Sequence, residues 1–381
     1  MQDFVHFNPV KIIFGKDKVA QVGEVVKEHG AKCLFLYGKE SIKKSGLHGR
    51  VVESLKAQNV EVIEHGGVKP NPVLSHTRDG VKKAKSGSIN VVLAVGGGST
   101  MDEAKAIAAG ALYDGDVWDF FSKGVKPDKA LPVITVPTLA ATGSEMNGNL
   151  VVTNEETNEK FANYIPACFP KVSILDPVLT ATVPANHTAY GIADIFSHLI
   201  EAYFNGEEAD APVQDRLAEG LILALMETSR RLMKNPIDYT ARAQMLWLSS
   251  VALGGIPPAG RGKARFENHF IAHGLSALFD SAHGAGLSVV MPAWMAYFKK
   301  RDPGKFLQFA KRIWNVDDAD EGIGTMKKWL SSIGAPVTLG QLGIGEKDIP
   351  AIVENVLPMA QMAKYDDLTE ENITAILTNC L

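Results

Sequence analysis

The chain has 381 residues, of which 46% are hydrophobic and 22% charged, and 43 acidic side chains against 39 lysines and arginines give a net charge of −4. This composition excludes a disordered or fibrous chain, and the missing basic excess argues against nucleic-acid binding. No apolar run approaches the ~20 residues of a membrane span, and no signal peptide is expected. Three cysteines without a CxxC pair favour a cytoplasmic protein over a disulfide scaffold or a thiolate metal site.

Up to residue 183, short apolar runs alternate with amphipathic stretches. Strands are predicted over residues 32–37, 59–63, 90–95, 132–136 and 172–175, and helices over 19–29, 49–58 and 75–86. Continuous β-branched runs suit strands that are buried on both faces. Strands that alternate with helices indicate a mostly parallel, doubly wound α/β sheet.

Beyond Pro184 the sequence shows long helical patterns and almost no strand signal. Helices are predicted over residues 189–203, 212–234, 239–251, 268–279, 303–316 and 323–333. We therefore predict two domains, an α/β domain over residues 1–183 and an all-α domain over residues 184–381.

A glycine-rich loop joins the strand over 91–95 to a helical segment over 100–112. It reads Gly96-Gly97-Gly98-Ser99, and its glycines let the backbone approach a ligand closely. A helix N-terminus there would attract a pyrophosphate, although a tight turn without a ligand is the alternative, and Met101 replaces the third glycine of the usual dinucleotide pattern. Asp102 either complements the helix dipole or fixes a ribose or nicotinamide group.

A second polar loop follows the strand over 132–136. Residues 137–145 read PTLAATGSE and are rich in small and hydroxyl side chains. Ligands bind at the carboxyl ends of strands in open α/β sheets. The two loops together predict a nucleotide cleft.

Histidines and one aspartate form a cluster in the helical half. Asp194 and His198 are four residues apart, as are His269 and His273, and such pairs share a helix face. With His283 they offer imidazole and carboxylate donors that suit Fe²⁺, Zn²⁺ and similar divalent ions. Five groups would crowd one ion, so we expect one downstream histidine to carry protons outside the ligand set.

These features resemble the iron-containing (group III) alcohol dehydrogenases of the dehydroquinate synthase-like superfamily, above all the butanol dehydrogenase and NADP-dependent aldehyde reductase branch. The matching stretches are Phe14-Gly15-Lys16, Lys69-Pro70-Asn71-Pro72, Gly96 to Ser99 with Asp102 and Lys105, Thr142-Gly143-Ser144-Glu145, Asp176-Pro177, Asp194 with His198, and His269 with His273 and His283. The resemblance implies an N-terminal dinucleotide-binding α/β domain and a C-terminal helical metal domain, with the site in the cleft and often a homodimer.

The resemblance also implies roles for individual residues. Metal ligands would be Asp194, His198, His269 and His283, holding Fe²⁺ or, alternatively, Zn²⁺ or another divalent ion. His273 and Asp102 would be the catalytic residues. Cofactor contacts would come from Gly38, Lys39, Ser41, Asn71, Gly97, Gly98, Ser99, Asp102, Thr138, Thr142, Lys160 and Leu179.

The segment after the first predicted strand bears on the choice of coenzyme. Gly38 stands where relatives that prefer NAD tend to place an aspartate, which would repel a 2′-phosphate. Lys39, Ser41 and Lys43 could bind that phosphate, so we expect NADP(H) over NAD(H). Glu40 could instead accept a bond from a ribose hydroxyl, and the lysines could be a solvated helix start.

The expected reaction is reversible hydride transfer between a primary alcohol and its aldehyde, with the cation as Lewis acid and His273 as proton relay. Small to medium unbranched aldehydes would fit among apolar side chains, for which the candidates are Phe266, Phe270, Trp247 and Trp294, although residues of this kind more often belong to the core. A lyase or a glycerol-type dehydrogenase of the same superfamily would use fewer protein ligands, and the additional His198 disfavours both. A metal-dependent hydrolase would leave the glycine loop unexplained.

Overall fold

The computed structural model describes residues 1–208, 210–263 and 265–381. The chain divides into two compact units. The α/β unit comprises Phe7–Val183 and Ile237–Ser250, and the helical unit comprises Met1–His6, Pro184–Pro236 and Val251–Leu381.

A six-stranded parallel sheet forms the centre of the α/β unit. The eight strands described in the unit, six of them in this sheet, are β1 (Lys11–Phe14), β2 (Lys32–Tyr37), β3 (Glu61–Gly66), β4 (Val91–Gly96), β5 (Val133–Pro137), β6 (Asn149–Asn154), β7 (Glu159–Tyr164) and β8 (Val172–Leu175). The sheet order is β1-β8-β5-β4-β2-β3, and β6 pairs with β7 in a separate antiparallel hairpin. The predicted parallel α/β sheet is confirmed, while β1 and the hairpin are additions to it.

Both faces of the sheet are buried, which explains the continuous apolar runs. The helices of the unit are α1 (Val22–His29), α2 (Ser41–Lys44), α3 (Leu47–Ala57), α4 (Leu74–Ser86), α5 (Gly98–Gly110) and α6 (Asp119–Ser122). Phe35 on β2 packs in one core with residues of α1 and α3, whereas Leu34 and Leu36 pack in another with residues of α4 and α5. Alternate side chains of one strand therefore fill two different cores.

The order of the strands reverses between β2 and β4. From β2 the chain continues outward to β3, whereas from β4 it continues to β5 on the other side. The register pairs Tyr37 with Val95 and Gly96 with Pro137, so the chain leaves all three strands at the same edge. Such a reversal at the carboxyl edge is where open α/β sheets bind ligands.

The described residues of the helical unit form helices and loops without a strand, as predicted. The remaining helices of the chain are α7 (Ala185–Phe204), α8 (Pro212–Lys234), α9 (Tyr239–Ala252), α10 (Glu267–Phe279), α11 (His283–Phe298), α12 (Pro303–Phe309), α13 (Ala319–Ser332), α14 (Ile349–Met362) and α15 (Glu370–Thr378). Most of α9 belongs to the α/β unit. The single helix predicted over 303–316 is instead α12 followed by a π-helical turn, Ala310–Trp314. None of the helices described is both long enough and apolar enough to span a membrane.

Candidate metal centre and cofactor loops

Two candidate ligands lie one turn apart on α7. Asp194 and His198 are both buried, and the four-residue spacing places them on the same helix face. Asp194 Oδ1 lies 3.6 Å from His198 Nε2. This distance exceeds that of a hydrogen bond between the two groups.

Two further histidines face the same oxygen from other helices. Nε2 of His269 on α10 and Nε2 of His283 at the start of α11 each lie 3.7 Å from Asp194 Oδ1. Two ligands held ~2.1 Å from one ion at the tetrahedral angle are ~3.4 Å apart. The three distances from Asp194 Oδ1 are therefore close to those between ligands of one ion, and the ligand atoms of Asp194, His198 and His269 all lie within 4.8 Å of one another.

A glycine allows α11 to begin close to α7. A Cβ added to Gly284 would lie 2.0 Å from the carbonyl oxygen of Tyr190, one turn before Asp194. Only a residue without a side chain permits this approach. The contact brings His283, the preceding residue, to the aspartate.

The electrostatics of this cluster also suit a cation. Among the residues that the structure describes, Asp194 Oδ1 and His269 Nε2 are buried polar atoms without a hydrogen-bond partner, an arrangement that is costly unless a ligand satisfies them. Burial lowers the pKa of His198 to about 4, which keeps the ring neutral, the form that binds metals. Burial also disfavours the charged form of His269, but the carboxylates of Glu201 and Asp194 outweigh it and raise its pKa to about 9. Three imidazoles and one carboxylate fit Fe²⁺, Zn²⁺ and related divalent ions.

Sequence reasoning missed Glu201. Its carboxylate accepts a hydrogen bond from Nδ1 of His269, the nitrogen that faces away from Asp194. Asp194, His198 and Glu201 are spaced i, i+4 and i+7 along α7, and this spacing was the available signal.

His273 lies one turn after His269 on α10 and is buried. The centroid of its ring is 5.4 Å from that of His283. Of the proposed apolar lining, Phe266 lies edge-on to His269 at 5.4 Å, and Phe270 lies 6.3 Å from His273. These two phenylalanines therefore border the histidine cluster.

The other two apolar candidates lie elsewhere. Trp294 is fully buried and donates a hydrogen bond to Glu267, so it is a core residue rather than part of a pocket lining. Trp247 lies in the α/β unit, where it packs edge-on against Phe14. Large apolar side chains suit either role, and the sequence already favoured the core.

A second group of potential ligands, His65, His76 and Glu103, lies in the α/β unit. Here the ring nitrogens of both histidines already have partners in the protein. Nδ1 of His76 lies 2.5 Å from Glu103 Oε1, and its Nε2 lies 3.2 Å from the carbonyl oxygen of Gly66. His65 stacks on His76 with ring centroids 4.0 Å apart, and one of its nitrogens lies 3.2 Å from the ammonium of Lys83. The other nitrogen of His65 lies 3.1 Å from the carbonyl oxygen of His76, so all four ring nitrogens have partners in the protein and this group is a hydrogen-bonded ionic network.

The glycine loop and the hydroxyl loop meet at the carboxyl edge of the sheet. The backbone N–H of Thr138 donates to the carbonyl oxygen of Gly96 at 2.9 Å. A Cβ on Gly98 would lie 2.4 Å from the side chain of Thr142. Gly97 connects β4 to the N-terminus of α5, and a Cβ there would meet only Leu139 at 3.8 Å. The open space above Gly97 is suited to a pyrophosphate at the helix N-terminus.

Asp102, in the second turn of α5, is held by a buried chain of donors. Ser144 donates its hydroxyl to Asp102 Oδ1 at 2.6 Å, and Lys105 donates to Ser144 at 2.7 Å and to the Asn149 carbonyl at 2.8 Å. Burial raises the pKa of Asp102 and lowers that of Lys105 to about 8. Sequence reasoning did not include Lys105 or Ser144 in the site, although both lie in the stretches that carry the family resemblance.

Two more cofactor candidates contact each other, and a third lies beside them. Nζ of Lys160, on β7, donates to Asn71 Oδ1 at 2.9 Å, and both side chains are buried. The hydroxyl of Ser99 donates to the carbonyl oxygen of Pro70. The structure therefore brings Ser99 next to the segment that carries Asn71.

The remaining candidates follow other strands of the same sheet. Gly38 leaves β2 beside Gly96, Lys39 is exposed, and Ser41 begins α2. Leu179 lies in a 3-10 turn after β8 and packs, partly buried, against the core that covers one sheet face. All four lie at or after the carboxyl ends of strands.

Comparison with known proteins bears on both halves of the chain. The family model described as iron-containing alcohol dehydrogenase matches residues 9–177, and that for the C-terminal region of the Fe-containing alcohol dehydrogenase family matches residues 188–381.

Individual relatives match along nearly the whole chain. A protein named "Probable NADH-dependent butanol dehydrogenase 1" from Bacillus subtilis is 40% identical, with 99% of each chain covered. NADPH-dependent aldehyde reductase YqhD of Escherichia coli is 35% identical over 97% of each chain. The crystal structure of NADH-dependent butanol dehydrogenase A from Thermotoga maritima matches with a TM-score of 0.96 at 44% identity, covering 100% of this chain and 99% of that one.

Proposed function

The chain belongs to the iron-containing alcohol dehydrogenase family and is an NAD(P)-dependent alcohol dehydrogenase or aldehyde reductase, and on this premise we propose its finer chemistry. It interconverts primary alcohols and aldehydes, in the manner of a butanol dehydrogenase. It uses NADP(H) in preference to NAD(H). Its metal is Fe²⁺, held by Asp194, His198, His269 and His283.

One observation carries the metal part of this proposal. A single buried carboxylate oxygen of Asp194 lies 3.6 to 3.7 Å from Nε2 of three histidines and has no hydrogen-bond partner among the described residues. A divalent ion bound between these atoms would satisfy them. Zn²⁺ or another divalent ion suits the same donors, and Fe²⁺ is favoured by the family match.

The chemistry divides between the bound groups and the chain. A divalent ion supplies a Lewis acid for the substrate oxygen, and the nicotinamide supplies or accepts the hydride. His273, one turn from a ligand histidine, exchanges the substrate's proton with solvent. Phe266 and Phe270, which border the histidines, exclude water and favour unbranched substrates of small to medium size.

Binding of the coenzyme falls to the loops of the α/β unit. Gly97, Gly98 and Ser99 hold the pyrophosphate at the start of α5, with Thr138 and Thr142 beside it. The chain of Lys105 and Ser144 fixes Asp102, which orients the nicotinamide or its ribose. Asn71 and Lys160, which bond to each other, and Leu179 complete the contacts.

The preference for NADP(H) rests on the end of β2. Position 38 carries no carboxylate, and Lys39 and Ser41 lie exposed just after it, so donors are available to a 2′-phosphate there. Lys43 is less available, since it pairs with Glu40 at 3.7 Å and lies over the Tyr37 ring. Relatives named for NADH and for NADPH are both similar to this chain. Their names therefore do not decide between the coenzymes, and the proposal rests on these side chains.

We also propose a cytoplasmic homodimer. Cys33, Cys168 and Cys380 are buried and unbridged, and burial raises the pKa of each to about 12, so they remain inert thiols. Free thiols of this kind are typical of a reducing compartment. The dimer follows from the family resemblance.

The test is a spectrophotometric assay on protein purified without oxygen and loaded with Fe²⁺ or Zn²⁺. We expect butanal to cause metal-dependent loss of nicotinamide absorbance, with a higher kcat/KM for NADPH than for NADH. Wild-type protein stripped of metal by a chelator serves as the metal-free control. Failure to oxidise or reduce any substrate of two to six carbons with metal bound would overturn the proposal, whereas a higher kcat/KM with NADH would overturn only the choice of coenzyme.

A further inference from the structure

Glu201 is a fully buried carboxylate that none of the proposed steps uses. It lies on α7, on the face that carries Asp194 and His198, but its oxygens point to the opposite side of the His269 ring. Oε2 accepts from Nδ1 of His269 and, at 3.0 Å, from the hydroxyl of Ser197.

The second oxygen of Glu201 is fixed by the start of α10. Oε1 accepts from the backbone N–H of Asn268 at 2.8 Å and from that of His269 at 3.4 Å. The side-chain amide of Asn268 also donates to the Ser197 hydroxyl at 2.8 Å, which closes the ring of donors. Both oxygens are satisfied by donors, so the carboxylate is locked in one orientation.

We propose that Glu201 is a positioning residue for the metal site. By accepting the Nδ1 proton it holds His269 in the tautomer that leaves the Nε2 lone pair directed towards Asp194 and the other ligands, and it makes that nitrogen a stronger donor. The inference rests on the proposed function, because it assumes that a divalent ion binds there.

A purely structural carboxylate would anchor α7 to α10 through the backbone N–H groups alone. Oε1 makes those bonds, whereas Oε2 is used for the imidazole, so the two roles fall on different atoms. Glutamine at position 201 keeps the volume and one acceptor. Its two terminal atoms cannot accept hydrogen bonds from the imidazole ring and from the backbone at the same time, because the amide nitrogen is a donor.

The test compares Glu201→Gln with wild type and with Glu219→Gln. Glu219 is another buried carboxylate of the helical unit, bonded to Tyr203 and Arg312 rather than to a histidine. The dissociation constant for Zn²⁺ is measured by chelator competition, the d–d absorption is recorded on the Co²⁺ form, and unfolding is measured without metal.

We expect Glu201→Gln to bind Zn²⁺ about 10- to 100-fold more weakly and to shift the Co²⁺ spectrum. Glu219→Gln should lose stability without metal but keep the affinity for the ion. If Glu201→Gln does not fold, Glu201→Asp, whose shorter side chain withdraws the acceptor from the ring, should show the same weakening. Wild-type affinity and spectrum in the variant that folds would overturn this inference. Failure of the wild type to bind any divalent ion would instead overturn the proposed function.

Discussion

The proposed preference for NADP(H) depends on the lack of an aspartate at position 38, and the structure has room for one there. A Cβ there would meet only the carbonyl oxygen of Val68, at 3.8 Å, and its φ lies outside the left-handed region. An aspartate can therefore be introduced without strain. Its carboxylate would stand at the end of β2, where it opposes a 2′-phosphate.

We expect Gly38→Asp to lower kcat/KM for NADPH by about tenfold or more, equivalent to ~1.4 kcal/mol, with little loss for NADH. Steady-state kinetics with both coenzymes measure the ratio. Gly49→Asp adds the same charge at an exposed position of α3 with no atom within 4 Å of the new Cβ, and it should leave the ratio unchanged. An unaltered ratio in Gly38→Asp would show that this position does not set coenzyme preference.

At the scale of elements, the contact between α7 and α11 determines where His283 lies. In Gly284→Ala the new methyl group would overlap the Tyr190 carbonyl, so α11 must move. We expect a loss of ~1–3 kcal/mol in the free energy of unfolding together with weaker metal binding. Denaturant unfolding and metal titration provide the two readouts.

The matched control for that substitution is Gly220→Ala. Gly220 lies within α8 of the same unit, and an added Cβ would have nothing within 4 Å. Alanine there should raise the free energy of unfolding by up to ~1 kcal/mol because it is the better helix former. If both alanines had the same effect, close packing at Gly284 would not be what positions α11.

We expect the hydrogen bond between His76 on α4 and Glu103 on α5 to make stability depend on pH. The hydrogen bond from His76 to Glu103 raises the pKa of His76 above its ordinary value. Since the folded pKa exceeds the unfolded one, the link contributes fully below about pH 6.5, and its contribution is lost as pH rises through the folded pKa. We expect the stability advantage of the wild type over His76→Gln to shrink as pH increases above neutrality.

Unfolding curves measured across that range test this expectation. In a Glu103→Gln background the substitution of His76 should have a small effect that does not vary with pH. A wild-type advantage that stayed constant or grew at high pH would contradict the assignment of the proton to this pair.

The elements that sequence patterns failed to predict have physical explanations. α11 is buried on nearly all sides, so its apolar residues show no helical period, and Pro292 lies within it. β1 is a four-residue edge strand, and β6 and β7 are too polar to resemble the buried strands. α8, which has one apolar face, was predicted with the observed bounds, whereas α14 and α15 were not predicted.

At the scale of the whole molecule, spacing identified ligand pairs but could not bring them together. The pair on α7 and the histidines of α10 and α11 come from segments that are far apart along the chain, and their meeting depends on packing that no periodicity encodes. The strand order that places Gly38 beside the glycine loop is likewise a property of the sheet. Sequence also could not show that Ile237–Ser250 belongs with the α/β unit.

The central claim is that four side chains hold one ion, and metal analysis of protein purified without oxygen tests it most directly. Wild-type protein should contain about one Fe²⁺ or Zn²⁺ per chain, and His283→Ala should lose most of it. His187→Ala, an exposed position near the start of α7, should retain the wild-type content. Unchanged stoichiometry and affinity in His283→Ala would contradict the account.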